Sequence, residues 1–91
     1  MTGKIDAQEA VRIAMAAMKA MYPAEQIPGL ALEEVELVEG ERAWLVTLGF
    51  TRAGHRSAIE AMTDQVGARA YKAIRIEVES GTVTSMKNRL L

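Results

Sequence analysis

The residue of this 91-residue chain best suited to acid–base chemistry is its single histidine, His55, which lies between Arg52 and Arg56. An imidazole titrates near neutral pH and can act as a general acid, a general base or a metal ligand. Each of these roles needs further groups, and the chain has no second histidine, no cysteine and no acidic residue next to His55. We therefore interpret His55 as a solvated loop residue, and we expect no catalytic residues, no metal site and no cofactor.

A second candidate for chemistry is a set of five glutamates between residues 33 and 41. Carboxylates at this density can bind a divalent cation, but their spacing does not match a calcium-binding loop. Charged side chains on an outer β-strand also prevent the strand from pairing with other chains. The pattern therefore favours a charged edge strand over a cation site.

Residues 6–22 have the periodicity of an amphipathic helix. Asp6 is a suitable N-cap, and Glu9 stands three residues later as in a capping box. Pro23 disfavours helical geometry at the residue before it, so we expect the helix to end at Tyr22. The apolar stripe consists of Val11, Ala14, Met15, Met18 and either Met21 or Tyr22. Such a stripe could form a soft ligand-binding surface, but the strands need cover, so we interpret it as core.

Alternating segments predict four β-strands, at residues 33–39, 42–50, 71–79 and 82–87. The second strand is the most hydrophobic, because its even positions are Trp44, Val46, Leu48 and Phe50. In the first strand, Val35 and Leu37 should point inward and Glu34 and Glu36 outward. Leu30 and Leu32 should tuck under the edge of the sheet. Gly40-Glu41 and Ser80-Gly81 are predicted to form tight hairpin turns.

The connection between the second and third strands, residues 51–70, is predicted to contain a short helix. Ser57 and Glu60 form a second capping-box pattern, and Gly67 suits the end of a helix. The apolar positions spaced for it are Ala58, Ile59, Met62 and Val66. In the last hairpin, either Val83 or Met86 should face the core, and the sequence leaves that choice open.

The predicted fold class is α+β: one N-terminal helix packed on a four-stranded antiparallel meander, in a single domain of residues 1–91. The side chains expected to form the core are Val11, Met15, Met18, Trp44, Val46, Leu48, Ile74 and Ile76. A chain of this length supports one modest core.

Composition and charge exclude several classes of function. The N-terminus has no apolar run behind Lys4 and the chain has none long enough to cross a bilayer, so we expect neither signal peptide nor membrane contact, and a cytoplasmic location. Residues 1–41 contain three basic and eight acidic residues, and residues 42–91 contain eight and four. Without a basic run, this asymmetry does not predict nucleic-acid binding.

The closing segment from Tyr71 to Arg89, with its Ser80-Gly81-Thr82-Val83 turn, resembles the end of PepSY-like domains. Glu33–Leu37 and Trp44–Leu48 also resemble the arrangement in small bacterial proteins. The PepSY resemblance implies a helix-on-sheet unit and a non-catalytic module, proposed in some relatives to modulate peptidases. Those relatives are mostly exported or membrane-attached, and Glu77 or Glu79 occupies the family's aspartate position here.

The favoured function is therefore a non-enzymatic protein-interaction or regulatory module that binds a protein partner or a second copy of itself. The expected contact surface is the sheet face away from the helix, where small or apolar residues replace the usual polar ones. It comprises Ala43, Leu45, Thr47, Tyr71 and Ala73. The opposing interpretation is that residues 51–70 fold over this face and that nothing else binds there. The alternative is a small immunity or inhibitor protein that restrains an enzyme or toxin. An enzyme or a cystatin-like ligand-binding cone would need convergent polar groups in a pocket, and the inward positions are apolar, so we expect no small-molecule ligand.

Overall fold

The computed structural model describes residues 4–51 and 69–90. Its elements are the helix α1 (Ala7–Met21) and the strands β1 (Ala31–Val38), β2 (Ala43–Thr51), β3 (Arg69–Glu77) and β4 (Val83–Arg89). The strands form one antiparallel sheet in the order β1-β2-β3-β4, with α1 packed on one face. The predicted α+β helix-on-meander architecture is confirmed. The short helix predicted within residues 51–70, and His55, lie outside the described residues.

The boundaries of α1 follow from local sequence chemistry. Asp6 is extended and its carboxylate accepts a 2.8 Å hydrogen bond from the Glu9 N–H. The Glu9 side chain pairs with Arg12 instead of returning to the cap, so only half of the predicted capping box forms. Tyr22, which precedes Pro23, is extended and ends the helix as predicted.

The segment before α1 is tied to the sheet by two hydrogen bonds at Ile5. Its N–H donates to the Val78 carbonyl at 3.0 Å, and its carbonyl accepts from the indole Nε1 of Trp44 at 3.1 Å. A partly buried tryptophan needs a partner for this N–H. These bonds fix where α1 starts above the sheet.

The core lies between α1 and the central strands. Its buried residues are Ala10, Ala14, Met18, Ile27, Val46, Leu48, Ile74 and Ile76. Trp44 and Ile76 are register partners on the same face, and Trp44, Val11 and Met15 are partly buried around this cluster. The open choice at the helix end is resolved in favour of Tyr22, which packs on the core, whereas Met21 is 68% exposed.

The β1–β2 hairpin differs from the predicted tight turn. A 3₁₀ turn, Glu39–Glu41, is followed by Arg42 in the left-handed region (φ 50°), so the predicted Gly40-Glu41 two-residue turn is wrong. A four-residue connection built around a turn of this kind is a common alternative. The register pairs Val35 with Val46 and Leu37 with Trp44, which confirms their shared face.

The β3–β4 connection spans residues 78–82, with Gly81 in the left-handed region (φ +72°), so the predicted Ser80-Gly81 two-residue turn is wrong. β3 begins two residues before its predicted start, and β4 continues to Arg89. Val83 pairs with Ile76 and Met86 with Ile74, so both lie on the helix side. Val83 and Met86 are three positions apart and still share a face, because the register of the β3–β4 pair shifts between Arg75 and Ile76.

Candidate interaction surface

The five residues predicted to form the interaction face do come together on the sheet face opposite α1, called here the open face. Ala43, Leu45 and Thr47 alternate along β2 with the helix-side residues, and Thr47 pairs with Ala73. Tyr71 lies two residues before Ala73 on the same face of β3. Ala43 and Thr47 are fully buried, whereas the other three are half-buried. Direct contact with a partner through this face would therefore use Leu45, Tyr71 and Ala73.

Arg89 explains the buried state of Thr47. It lies on β4 opposite Tyr71, and its guanidinium reaches across β3 to donate a hydrogen bond to the Thr47 hydroxyl. The same Nη1 lies 2.8 Å from a carboxylate oxygen of Glu34 on β1. The small side chain of Ala73 leaves room for this crossing. Thr47 is the only polar residue fully buried in the described part of the chain, and its hydroxyl is thus satisfied.

Two arginines of β3, Arg69 and Arg75, also cross the open face toward β1. Arg69 Nη2 lies 3.0 Å from Glu33 Oε2, directly above Gly49. A Cβ at Gly49 would lie 2.6 Å from that glutamate oxygen, so the pair occupies the space a side chain would fill. Arg75 Nε lies 3.0 Å from Glu41 Oε1, and Arg75 Nη1 donates to the Thr84 hydroxyl at 2.9 Å.

These three ion pairs, Arg69–Glu33, Arg75–Glu41 and Arg89–Glu34, are called here the cross-face pairs. Each is partly solvent-exposed, and such pairs contribute at most about 1 kcal/mol apiece. Their arginines neutralise three of the five glutamates between residues 33 and 41. Glu36 and Glu39 have no ion pair within the described residues, and both are exposed.

The largest apolar exposure on the sheet is at β1. Leu32 is 45% exposed and Leu37 is 43% exposed, although both point to the helix side. Half-buried Val35 lies between them on the same face. The helix packs over β2 and, less extensively, over β1, and it leaves Leu32 and Leu37 partly exposed. We call the outer side of this strand the β1 edge: Leu32, Val35 and Leu37 on its helix side, and Glu34 and Glu36 on its open side.

The exposure of Leu32 corrects the expectation that it tucks under the sheet. Leu30 does pack against the core, but Leu32 is 45% exposed and does not pack against it. The alternation of the sequence predicts the face of Leu37 correctly, but it does not predict that 43% of this residue is exposed. The available signal was the density of glutamates, which already indicated an edge strand.

Lys72 contacts the Tyr22 ring on the helix side of the sheet. The ammonium lies 5.3 Å from the centre of the Tyr22 ring and donates a 2.7 Å hydrogen bond to Asn88 Oδ1. A cation over a ring face is attracted by the ring's quadrupole. This contact fixes the end of α1 against β3 and β4, and it places Lys72 in a structural role.

Titratable groups with shifted pKa values occur at one described place. The hydrogen bond from Arg12, with its positive charge, lowers the pKa of Glu9, and Glu9 in turn raises the pKa of Arg12. Both groups stand on the exposed surface of α1. Within residues 4–51 and 69–90, no three histidine or acidic side chains are grouped to hold a metal ion.

The helix α1 is too short and too polar to cross a membrane, and it is the one α-helix in the described part of the chain. Comparison of the chain with protein-family models, with curated proteins and with solved structures found no match.

Proposed function

We propose that this chain is a non-enzymatic protein-interaction module and that the β1 edge is its main contact surface. The observation that carries the proposal is the exposure of Leu32 and Leu37 on one face of the outermost strand, with Val35 between them. Covering the exposed part of each leucine would contribute about 1 kcal/mol to binding. The resemblance to PepSY-like domains, which also implies a non-catalytic module, stays a prediction.

The polar groups of the open face support this proposal because they are engaged with one another. The three arginines of the open face are bound to glutamates, and the Thr47 hydroxyl is bound to Arg89. A catalytic site needs convergent polar groups that are free to contact a substrate. The remaining recognition features are apolar side chains and unpaired carboxylates along a strand.

The test is quantitative capture of partners from the native host by the tagged chain. The double variant Leu32→Asn, Leu37→Asn should lose most of the captured protein, because it removes the exposed apolar contacts and alters no buried residue. Met21→Asn is the matched control, since Met21 is also exposed but lies on α1. Equal capture by both variants would reject the β1 edge, and no capture above background by the wild type would reject the interaction function.

A second candidate is self-association through the open face, favoured by the partial exposure of Leu45, Tyr71 and Ala73. If two copies pair through this face, the wild type is a dimer by light scattering. Leu45→Glu should then give a folded monomer, because a charge at the interface would have to be desolvated. A dimer that persists in Leu45→Glu would remove this face from consideration.

The alternative of an immunity or inhibitor protein is the same interaction function with an enzyme as the partner. The unpaired carboxylates of Glu36 and Glu39 favour a partner with a basic surface. Its discriminating measurement is the activity of any captured enzyme with and without the chain. Inhibition by the wild type that is lost in the double leucine variant supports this alternative.

A further inference from the structure

The β1 strand has one paired side and one free side within the described residues. It pairs only with β2 and stands at the end of the strand order. A strand in this position presents a row of backbone N–H and C=O groups that can pair with an added strand. Six of its eight residues are exposed. Side chains of the core therefore do not block the free backbone groups of β1.

The two faces of β1 would contact an added strand differently. Side chains of an extended segment alternate between faces with a period of two. On the helix side an added strand would meet Leu32, Val35 and Leu37, and on the open side it would meet Glu34 and Glu36. The side chains that fit are therefore apolar on one face and basic on the other.

Charge argues against a second copy of this chain as the occupant. Antiparallel pairing of two β1 strands about a two-fold axis between Glu34 and Val35 would set Glu36 of each copy opposite Glu33 of the other. Like charges directly opposite each other destabilise a sheet. Glu36, which has no ion pair among the described residues, would face a Glu33 carboxylate that already pairs with Arg69, so two carboxylates would share one arginine.

We propose that the β1 edge binds an extended segment of a partner protein by strand addition, with lysine or arginine of that segment beside Glu36 and apolar side chains against Leu32 and Leu37. This inference deepens the proposed function and rests on it. Backbone pairing supplies the general affinity, while the alternating apolar and basic side chains supply the specificity.

The probe is a blocked eight-residue peptide that alternates lysine with valine, titrated into the isotopically labelled chain and followed by amide chemical shifts. We expect the shifts to be largest at β1 and its partner β2 and small at β4. A peptide with glutamate in place of lysine should bind at least about fivefold more weakly, because one or more exposed charge contacts become repulsive. Equal affinity for both peptides would overturn the charge assignment.

The chain variant Glu36→Lys should reverse that preference, so that the glutamate peptide binds more tightly than the lysine peptide. Glu25→Lys is the matched control, because it makes the same charge change at an exposed residue outside the sheet. An unchanged preference in Glu36→Lys, or the same change in Glu25→Lys, would overturn the assignment of the basic contact to the β1 edge.

Backbone pairing is tested with two N-methylated lysine–valine peptides, one methylated at the lysines and one at the valines. Successive amides of a strand point to opposite edges, so only one of the two series should lose binding. Equal binding by both series would reject strand addition. A dimer of the free chain whose β1 amides are protected at the interface would instead identify a second copy as the occupant and overturn the proposal.

The peptide experiment and the capture experiment separate the two levels of the argument. If no peptide binds to β1 while capture still depends on Leu32 and Leu37, strand addition is wrong and the interaction function stands. If capture fails with the wild type, the interaction function itself is rejected, whatever the peptide result.

Discussion

At the scale of single residues, Arg89 is the side chain that organises the open face. It joins β4 to Thr47 and to Glu34, and Thr47 is 42 residues away in sequence. The last predicted strand ends at residue 87 and leaves Arg89 outside it, because a contact at this separation leaves no periodic signal in the sequence. The small residues of the predicted interaction face were recognised, whereas the arginines that cross that face were not.

Replacing Thr47 with valine should show how much the hydrogen bond from Arg89 to Thr47 contributes to stability. The variant removes a buried acceptor from a charged donor, so we expect the free energy of unfolding to fall by about 1–2 kcal/mol. Urea denaturation of purified protein measures the change. Thr84→Val is the matched control, since Thr84 accepts from Arg75 at an exposed position, and it should cost no more than about 0.5 kcal/mol. Equal losses would contradict the role assigned to burial.

At the scale of elements, α1 was the most predictable part of the chain. Its cap, its end before Pro23 and most of its apolar stripe depend on residues within a few positions of one another. The observed helix, Ala7–Met21, lies within one residue of the predicted bounds. Face assignments along β2 were equally accurate because strict alternation fixes them.

Asp6→Ala should destabilise the domain by about 1 kcal/mol, because the Glu9 N–H at the start of α1 loses its acceptor. Thermal unfolding followed by circular dichroism measures the effect. Gln8→Ala, in the exposed first turn of the same helix, should be neutral or slightly stabilising because alanine is the better helix former. Destabilisation of similar size in both variants would mean that the cap is not the cause.

The hairpins could be predicted less well than the helix. Register shifts in the β1–β2 and β3–β4 pairs and the left-handed residue at Arg42 each change which side chains meet. These irregularities arise from the fit between strands and not from the alternation within one strand. For the same reason the pattern gave the face of Leu37 and could not show that α1 leaves it exposed.

At the scale of the whole molecule, stability comes from one layer of apolar contact between α1 and the sheet. Ile74 and Ile76 are fully buried there, while Arg75 between them points to the open face and pairs with Glu41. This alternation was predicted from the sequence, and the register confirms it. The other face is organised by the partly exposed cross-face pairs.

Ile76→Asp should therefore abolish folding, because a fully buried position would receive an unpaired charge and small domains have only about 5–15 kcal/mol of stability. Arg75→Asp removes an exposed ion pair and should cost about 1 kcal/mol. Circular dichroism and the dispersion of amide resonances distinguish the two outcomes. Equal damage from both variants would contradict the strand register.

The central claim is that β1 is an uncovered edge, and amide hydrogen exchange of the free chain tests it most directly. In an edge strand, amides that pair inward are protected and those between them contact solvent. We predict alternating slow and fast exchange along residues 34–38, beyond the register shift near the start of β1, against slow exchange along the whole of β2, which is paired on both sides. Uniform protection along β1 would show that its outer side is already covered, and would contradict the proposed interaction surface.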